Sequence, residues 1–122
     1  MFEQSQGSVK MNHKYHTVYE DNHYRKVTRF YRTDLSYLHK DDGPSVITQD
    51  KRFPGKSNEA WYLNGALHRV DGPAVCFPNQ EDKYDYYLHG IMYNGFREYS
   101  TALIDLGYKS KEEVLFLYLK WG

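Results

Sequence analysis

The sequence contains a single cysteine, Cys76, and this scarcity limits the covalent chemistry open to the chain. A lone cysteine cannot form an internal disulfide, so we expect a domain that folds without crosslinks in a reducing compartment. Cys76 lies in the apolar strand pattern Ala-Val-Cys-Phe, with no electropositive neighbour that would lower the pKa of its thiol. The sequence therefore predicts a buried, unreactive thiol rather than a nucleophile.

An excess of charge and a long hydrophobic run are also missing. The 122 residues include 16 Lys and Arg and 16 Asp and Glu. The chain therefore has no net charge that would attract nucleic acid or an acidic membrane. No apolar run approaches the roughly 18 residues of a membrane-spanning helix. Residues 1–7 lack the charged and apolar regions of a signal peptide. The sequence therefore predicts a soluble, cytoplasmic protein with no membrane partner.

Signatures of catalysis and of cofactor or metal binding are absent from the sequence. It has no glycine-rich phosphate loop and no serine nucleophile motif. His13, His16 and His23 are not spaced to place three ligands on one face of a strand, and no cysteine or paired carboxylate joins them. We therefore expect no metal, no cofactor and no enzymatic activity.

Aromatic residues are abundant and offset a shortage of aliphatic ones. Thirteen Tyr, six Phe and two Trp make up 17% of the chain. Aromatic side chains bury large areas and favour strands, so an aromatic-rich core with hydroxyls at its surface is one explanation. The other is a protein interface, for which exposed tyrosine is well suited. The candidates for such an interface are Tyr62, Tyr86, Tyr87 and Tyr93.

A nine-residue phrase occurs twice, 29 residues apart, and it decides the predicted architecture. Segment 38–46, LHKDDGPSV, returns as segment 67–75, LHRVDGPAV. The shared positions include His39, Asp42, Gly43 and Pro44 in the first copy and His68, Asp71, Gly72 and Pro73 in the second. Self-similarity at this period indicates stacked supersecondary units. Because an active site rarely needs two copies, we expect the His and Asp residues to fix turns rather than to form catalytic dyads.

Tight turns are predicted between the short strands of the repeat units. Asn64-Gly65 is a strong hairpin signal, since both central residues of a type I′ turn need positive φ. His89-Gly90 is a weaker version of it. We expect positive φ at Gly65 and Gly90, and we expect Trp61, which begins the first of these hairpins, to be a core anchor. Asp-Gly-Pro should end each returning strand, because proline removes a backbone donor.

A further hairpin, of residues 14–19 and 24–32, precedes the repeats. Neither face of its second strand is wholly apolar, which predicts a position at the edge of the sheet, protected by charge. This strand interleaves basic and aromatic residues, namely Tyr24, Arg25, Lys26, Arg29, Tyr31 and Arg32. Such strands can present stacking rings beside phosphate-binding cations. Nucleic-acid or nucleotide binding is therefore the alternative function.

After Gly95 the hydrophobic period changes from 2 to about 3.6, which predicts two short helices. The first covers residues 96–106 and ends at Gly107. The second follows a capping box at residues 110–113 and has a predicted apolar face of Val114, Leu115, Leu117, Tyr118 and Trp121. The predicted fold is α+β, an antiparallel meander of β-hairpins in irregular repeats followed by two short C-terminal helices. Its predicted parts are a flexible N-terminus (1–12) and a single domain (13–122), made of hairpin repeats (13–95) and a helical cap (96–122).

Segment 61–74, WYLNGALHRVDGPA, resembles a repeat in small proteins of bacteriophages and large DNA viruses, and it is similar in style to MORN-type hairpin repeats. The resemblance covers residues 61–75 closely, the second half of the unit at 37–46 and the first half at 86–95. MORN-type repeats usually imply protein or lipid contacts. The resemblance implies a non-enzymatic protein-binding module, a viral accessory protein that engages or inhibits a host protein in the host cytoplasm.

Overall fold

The computed structural model describes residues 7–11, 15–34, 36–53, 55, 57–77 and 83–122. It has the predicted α+β fold, an antiparallel sheet of hairpins followed by two C-terminal helices. The elements are β1 (Gly7–Met11), β2 (Tyr15–Asp21), β3 (Arg25–Arg32), β4 (Val46–Asp50), β5 (Ser57–Ala60), β6 (Tyr62–Leu63), β7 (Ala66–Leu67), β8 (Val75–Phe77), β9 (Lys83–Leu88), β10 (Ile91–Tyr93), α1 (Gly95–Asp105) and α2 (Lys111–Trp121).

Eight strands form one sheet in the order β1-β2-β3-β4-β5-β8-β9-β10, and β6 pairs with β7 in a separate two-stranded unit. The predicted hairpin of 14–19 and 24–32 is present as β2 and β3, but it is not at the edge. β1 pairs with β2 along its length, and β4 pairs with β3. The charged pattern of β3 suggested an edge strand, but the sequence of a strand does not show which neighbours pair with it. Here the neighbours β1 and β4 satisfy the backbone groups of β2 and β3.

Residues 7–11 differ from the prediction of a flexible segment over 1–12, because they form β1. Their register with β2 runs from Gly7↔Glu20 to Met11↔His16. The outer edge of β2 offers a row of backbone donors and acceptors, and a strand needs no apolar pattern of its own to pair with it. Residues 1–6 and 12–14 lie outside the described residues.

The helices begin and end within a residue or so of the predicted positions. The capping box at residues 110–113 is formed at the start of α2. At the end of α1, Gly107 has a φ of 81°. The N–H of Gly107 donates to the carbonyl of Ile104, and the N–H of Tyr108 donates to that of Leu103. This is the Schellman arrangement expected for a helix that ends at glycine.

The main core lies between α1 and the β9–β10 end of the sheet. Tyr86, Leu88, Tyr99 and Leu103 are buried at its centre. The rings of Tyr86 and Tyr99 lie 4.8 Å apart, centroid to centroid. Partly buried side chains packed around them are Val70, Tyr93, Phe96, Ala102, Val114 and Leu117. Aromatic rings thus supply much of the volume that aliphatic residues provide in other domains.

Both predicted tight turns are present. Gly65 and Gly90 have φ values of 84° and 80°, and the preceding Asn64 and His89 have 50° and 48°. Positive φ at both central positions is the requirement of a type I′ turn, so the prediction for the two glycines is confirmed.

The repeated histidines join each hairpin to the next one. The N–H of Asn64 donates to Nδ1 of His39 at 3.0 Å, and the N–H of His89 donates to Nδ1 of His68 at 2.9 Å. Each imidazole thus holds the tight turn of the following hairpin. The carbonyls just before these histidines accept from the turn glycines in the same way, at 2.9 Å and 2.7 Å. We call the three linked hairpins the hairpin row. They are formed by residues 30–32 with 37–39, by β6 with β7, and by β9 with β10.

A ring and a cation are stacked at the base of the first two hairpins. Nζ of Lys40 lies 4.0 Å from the Phe30 ring, and the guanidinium carbon of Arg69 lies 3.8 Å from the Trp61 ring. The carbonyls of Phe30 and Trp61 also accept from the N–H groups of the two repeat histidines. Phe30 is therefore the counterpart of Trp61, and the first copy of the repeat is longer than the sequence match indicated. In the third hairpin Tyr86 holds this position, and α1 covers it instead.

The repeat carboxylates and the Gly-Pro pairs stabilise the loops between hairpins. Asp42 accepts from the hydroxyl of Tyr15 at 3.3 Å, and Asp71 accepts from Nε of Arg69 at 2.8 Å. The carboxylates therefore contact residues other than the repeat histidines. The following Gly and Pro residues pack inside the loops, Gly43, Gly72 and Pro73 buried and Pro44 half-buried. New strands, β4 and β8, begin just after them, as predicted.

Trp61 is half-buried and is not part of the main core, contrary to the expectation that it is a core anchor. The chain leaves the large sheet at this residue, between β5 and β6. Its ring therefore packs beneath Arg69, a side chain that is only 10% exposed. The sequence pattern identified a large ring at the head of a hairpin but did not indicate that the hairpin turns away from the sheet.

Candidate functional site

The four tyrosines predicted at a protein interface do not form one exposed surface. Tyr86 is 5% exposed and packs against α1, so its assignment to an interface is wrong. Tyr62, Tyr87 and Tyr93 are half-buried. Neighbouring residues of a strand point to opposite faces, so α1 covers Tyr86 and leaves Tyr87 on the other side. A count of tyrosines does not indicate which rings a helix covers.

Half-buried tyrosines recur at one position of the hairpin row. Each directly follows the ring at the base of its hairpin, and each pairs across the hairpin with an aliphatic residue. The pairs are Tyr31 with Leu38, Tyr62 with Leu67 and Tyr87 with Met92. Of these side chains only Met92 is exposed, at 57%. The row therefore offers few protruding rings to a partner.

Helix α2 carries the most exposed group of apolar side chains among the described residues. Leu115, Phe116, Tyr118 and Leu119 are 65%, 73%, 57% and 81% exposed, and we call them the α2 strip. Together with Glu112 they line a shallow groove of about 550 Å³. With side chains of this size offering about 150–200 Å² each when fully exposed, the strip presents roughly 450 Å². A patch of this size is comparable to the largest apolar patch of a typical monomeric protein, which is often a functional surface.

The opposite face of α2 attaches the helix to the domain. Val114 and Leu117 pack against the main core. Nε1 of Trp121 donates to the carbonyl of Asp71 at 3.1 Å. The indole lies so close to Gly72 that a Cβ there would come within 2.8 Å of Nε1. The absence of a side chain at Gly72 thus leaves room for the Trp121 ring. Because this side of α2 is attached to the domain, the α2 strip faces outward.

The predicted apolar face of α2 is divided between two sides of the helix. Val114, Leu117 and Trp121 are inward and half-buried, whereas Leu115 and Tyr118 are exposed. The helix is apolar around most of its circumference, so its periodicity does not define one face. Sequence reasoning therefore missed the strip as a surface. Its signal was present in the run of six consecutive apolar residues, 114–119, which goes round the whole helix and so cannot all face one core.

The basic strand divides its charges between two faces of the sheet. Alternation in β3 places Arg25 and Arg29 opposite Lys26 and Arg32. Nη1 of Arg29 pairs with the carboxylate of Glu20 at 2.8 Å. Arg32 donates to the side chain of Asn64 at 2.7 Å. Two of the four predicted phosphate-binding cations are therefore engaged within the domain.

The two rings of the basic strand are far apart. Tyr24 is 71% exposed at the start of the strand, and Tyr31 is half-buried near its end. Seven residues of extended chain separate them by about 23 Å. A stacking platform needs successive rings beside cations. Here only one exposed ring of the strand, Tyr24, has cations next to it, Arg25 and Lys26.

A cleft of about 260 Å³ lies between the two repeat loops, lined by residues 40–42, 61, 63 and 68–71. Its charged groups are engaged within the domain, and Lys40 lies over the Phe30 ring. Arg69 pairs with Asp71 and donates to a loop carbonyl at 3.1 Å. The hydroxyl of Tyr15 donates to the carboxylates of Asp41 and Asp42. These interactions stabilise the loops.

Cys76 is 8% exposed, as the sequence predicted, and burial raises the pKa of its thiol. In the described part of the chain no three His, Cys, Asp or Glu side chains converge as metal ligands, and His13 lies outside that part. None of the described helices has the length and hydropathy needed to cross a bilayer.

Comparison with known proteins adds no relative: no protein-family model matches the chain, and no curated protein or solved structure is significantly similar to it. The α2 strip is thus identified by its own geometry, as an ordered, outward-facing apolar surface.

Proposed function

We propose that this chain is a non-enzymatic protein-binding module and that the α2 strip is its docking surface. The observation that supports this function is that four neighbouring apolar side chains of one helix are 57–81% exposed. Burying a large apolar side chain contributes about 1.5–3 kcal/mol. Because the core and Trp121 already hold α2 in place, little conformational entropy is lost when a partner binds.

The proposed biological role is that of a viral accessory protein that engages or inhibits a host protein in the host cytoplasm. This role is supported by the resemblance of segment 61–74 to repeats of small bacteriophage and large-DNA-virus proteins. The equal numbers of acidic and basic residues favour a partner bound through apolar contacts rather than through its phosphates.

A capture experiment from host lysate tests the proposed function. The tagged wild type should retain a protein partner at about 0.5 M salt, where exposed charges are screened beyond roughly 4–5 Å. Leu119→Glu should abolish capture, because it places a charge on the most exposed side chain of the strip, which is 81% exposed in the wild type. Leu106→Glu is the matched control, since Leu106 is 58% exposed at the end of α1 and lies outside the strip. Equal capture by both variants would contradict the proposal.

Nucleic-acid or nucleotide binding is the second candidate, because Tyr24, Arg25 and Lys26 are consecutive and exposed. Binding of this kind should weaken steeply as salt is raised. Arg25→Ala should weaken it further, whereas Leu119→Glu should leave it unchanged. Fluorescence anisotropy with a labelled oligonucleotide at two salt concentrations would distinguish this function from protein binding.

A further inference from the structure

The chain contains two Asn-Gly dipeptides, Asn64-Gly65 and Asn94-Gly95. In this dipeptide the backbone nitrogen of the glycine can attack the side-chain carbonyl carbon of the asparagine. Glycine favours the attack because it has no Cβ to block the approach and its backbone is free to rotate. Whether the reaction occurs in a folded protein depends on whether the structure holds the two reacting groups apart.

The fold holds Asn64-Gly65 by three hydrogen bonds. Oδ1 of Asn64 accepts from Nη1 of Arg32 at 2.7 Å. The N–H of Asn64 donates to Nδ1 of His39 at 3.0 Å, and the N–H of Gly65 donates to the carbonyl of Leu38 at 2.9 Å. The attacking nitrogen and the amide that it would attack are therefore both engaged in the hairpin row.

The corresponding groups of Asn94-Gly95 are free. Both residues are exposed, and the Asn94 side chain makes no capping bond to α1. In the described part of the chain no hydrogen bond involves the N–H of Gly95, and a Cβ on Gly95 would have nothing within 4 Å. The N–H of Asn94 donates to Oε1 of Glu98 at 3.3 Å, but neither of these groups takes part in the attack.

We propose that Asn94-Gly95 is a site of spontaneous deamidation in the folded protein, and that the hairpin row protects Asn64-Gly65 from the same reaction. The nitrogen of Gly95 forms a bond to Cγ of Asn94 and closes a succinimide ring, while the bond from Cγ to the side-chain nitrogen breaks. The proton of the Gly95 N–H leaves with that nitrogen as ammonia. Water then opens the ring at either carbonyl, and the product is aspartate or isoaspartate.

The modification changes the junction between the hairpin row and α1. Both products carry a new negative charge just before the helix, at the positive end of its dipole. Isoaspartate also lengthens the backbone by one atom, because its main chain runs through the former side chain. The site is separate from the α2 strip, so this inference goes beyond the proposed function and stands or falls independently of it.

Peptide mapping by mass spectrometry, after incubation of the folded wild type at mildly alkaline pH, tests the proposal. Alkaline pH favours the reaction because the attacking nitrogen must lose its proton. Amide loss at Asn94 should be at least about tenfold faster than at Asn64, since reaction at Asn64 must wait for local opening of the hairpin. Asn94→Gln should eliminate the product at position 94 and leave the rate at Asn64 unchanged, because a longer side chain closes its ring far more slowly.

The same chain unfolded in guanidinium chloride is the matched control. Without the hairpin row the two dipeptides should lose their amides at similar rates, and the rate at Asn94 should be close to that in the folded protein. Equal rates at the two sites in the folded protein would overturn the protection assigned to the hairpin row. An Asn94 that stays intact in the folded protein while it reacts in the unfolded chain would overturn the modification site.

Discussion

His39 and His68 stabilise the hairpin row only while their Nδ1 atoms carry no proton, because each Nδ1 accepts a backbone N–H. A protonated imidazole has two donors and no acceptor. It would face the N–H of the next turn with a positive charge. Uptake of a proton at Nδ1 of His68 would therefore break a bond between two hairpins.

Stability of the domain should fall as the pH is lowered from 7 to 5. Burial, and then the neighbouring His89, lower the pKa of His68 from its ordinary value near 6.5. Since the folded-state pKa is below the unfolded one, the unfolded chain takes up the proton first. The contribution of His68 is thus complete above about pH 6.5 and is lost as the pH falls through the folded-state pKa.

Urea denaturation at pH 7 and pH 5 measures this effect. His68→Asn is the informative comparison, because its amide oxygen can accept the same N–H and does not titrate. The loss of stability on acidification should be smaller in His68→Asn than in the wild type. An equal loss in both proteins would contradict the role assigned to His68.

At the scale of elements, the sequence predicts those parts whose signals are local. The two type I′ turns, the Asp-Gly-Pro loops and both helices follow from a few adjacent residues. The first half of the first repeat, around Phe30, was missed because its hairpin has a longer connection without Asn-Gly. β1 and the outward face of α2 were missed for another reason. They depend on which neighbour covers an element, and that is settled only by tertiary packing.

Gly65→Val should destabilise the domain by more than the backbone cost of its turn alone. The φ of Gly65 is 84°, which costs a β-branched residue about 1–3 kcal/mol. A Cβ there would also come within 2.9 Å of the Tyr37 ring. Gly107→Val is the control, since Gly107 has a φ of 81° and nothing within 4 Å of the added Cβ.

The difference between these two valine variants isolates the contact with the Tyr37 ring. Equilibrium unfolding in urea should show Gly65→Val as the less stable of the two. If Gly107→Val is equally destabilised, the hairpin is held by its turn conformation and not by its packing.

At the scale of the whole molecule, α1 completes the hairpin row by taking over the role of a repeat loop. Tyr86 is the third ring of the row, and Tyr99 of α1 stacks on it where a cation stacks on the first two. The Tyr99 hydroxyl donates to the carbonyl of Arg69 and accepts from the N–H of Gly72. One side chain thus connects the helical cap, the core and the second repeat loop.

Tyr99→Phe should cost about 1–3 kcal/mol of unfolding free energy, because it leaves the partly buried carbonyl of Arg69 and the buried N–H of Gly72 without their partner. Tyr118→Phe is the control, since the Tyr118 side chain is 57% exposed and should change the free energy of unfolding by less than about 0.5 kcal/mol. Urea denaturation monitored by tryptophan fluorescence measures both. Equal stability of the two variants would show that α1 and the repeat loop are not coupled through this hydroxyl.

The bonds between hairpins also bear on how such a chain can change its length. The first hairpin offers the second two acceptors, a carbonyl and an imidazole nitrogen, and the second offers the third the same two. Duplication of a 25- to 29-residue stretch of the gene would add a hairpin that fits both neighbours without redesign, and deletion would remove one. The first strand and the helical cap are not hairpin units, so a duplicated hairpin could not replace them. Selection can therefore lengthen or shorten this protein in whole units while its two ends stay fixed.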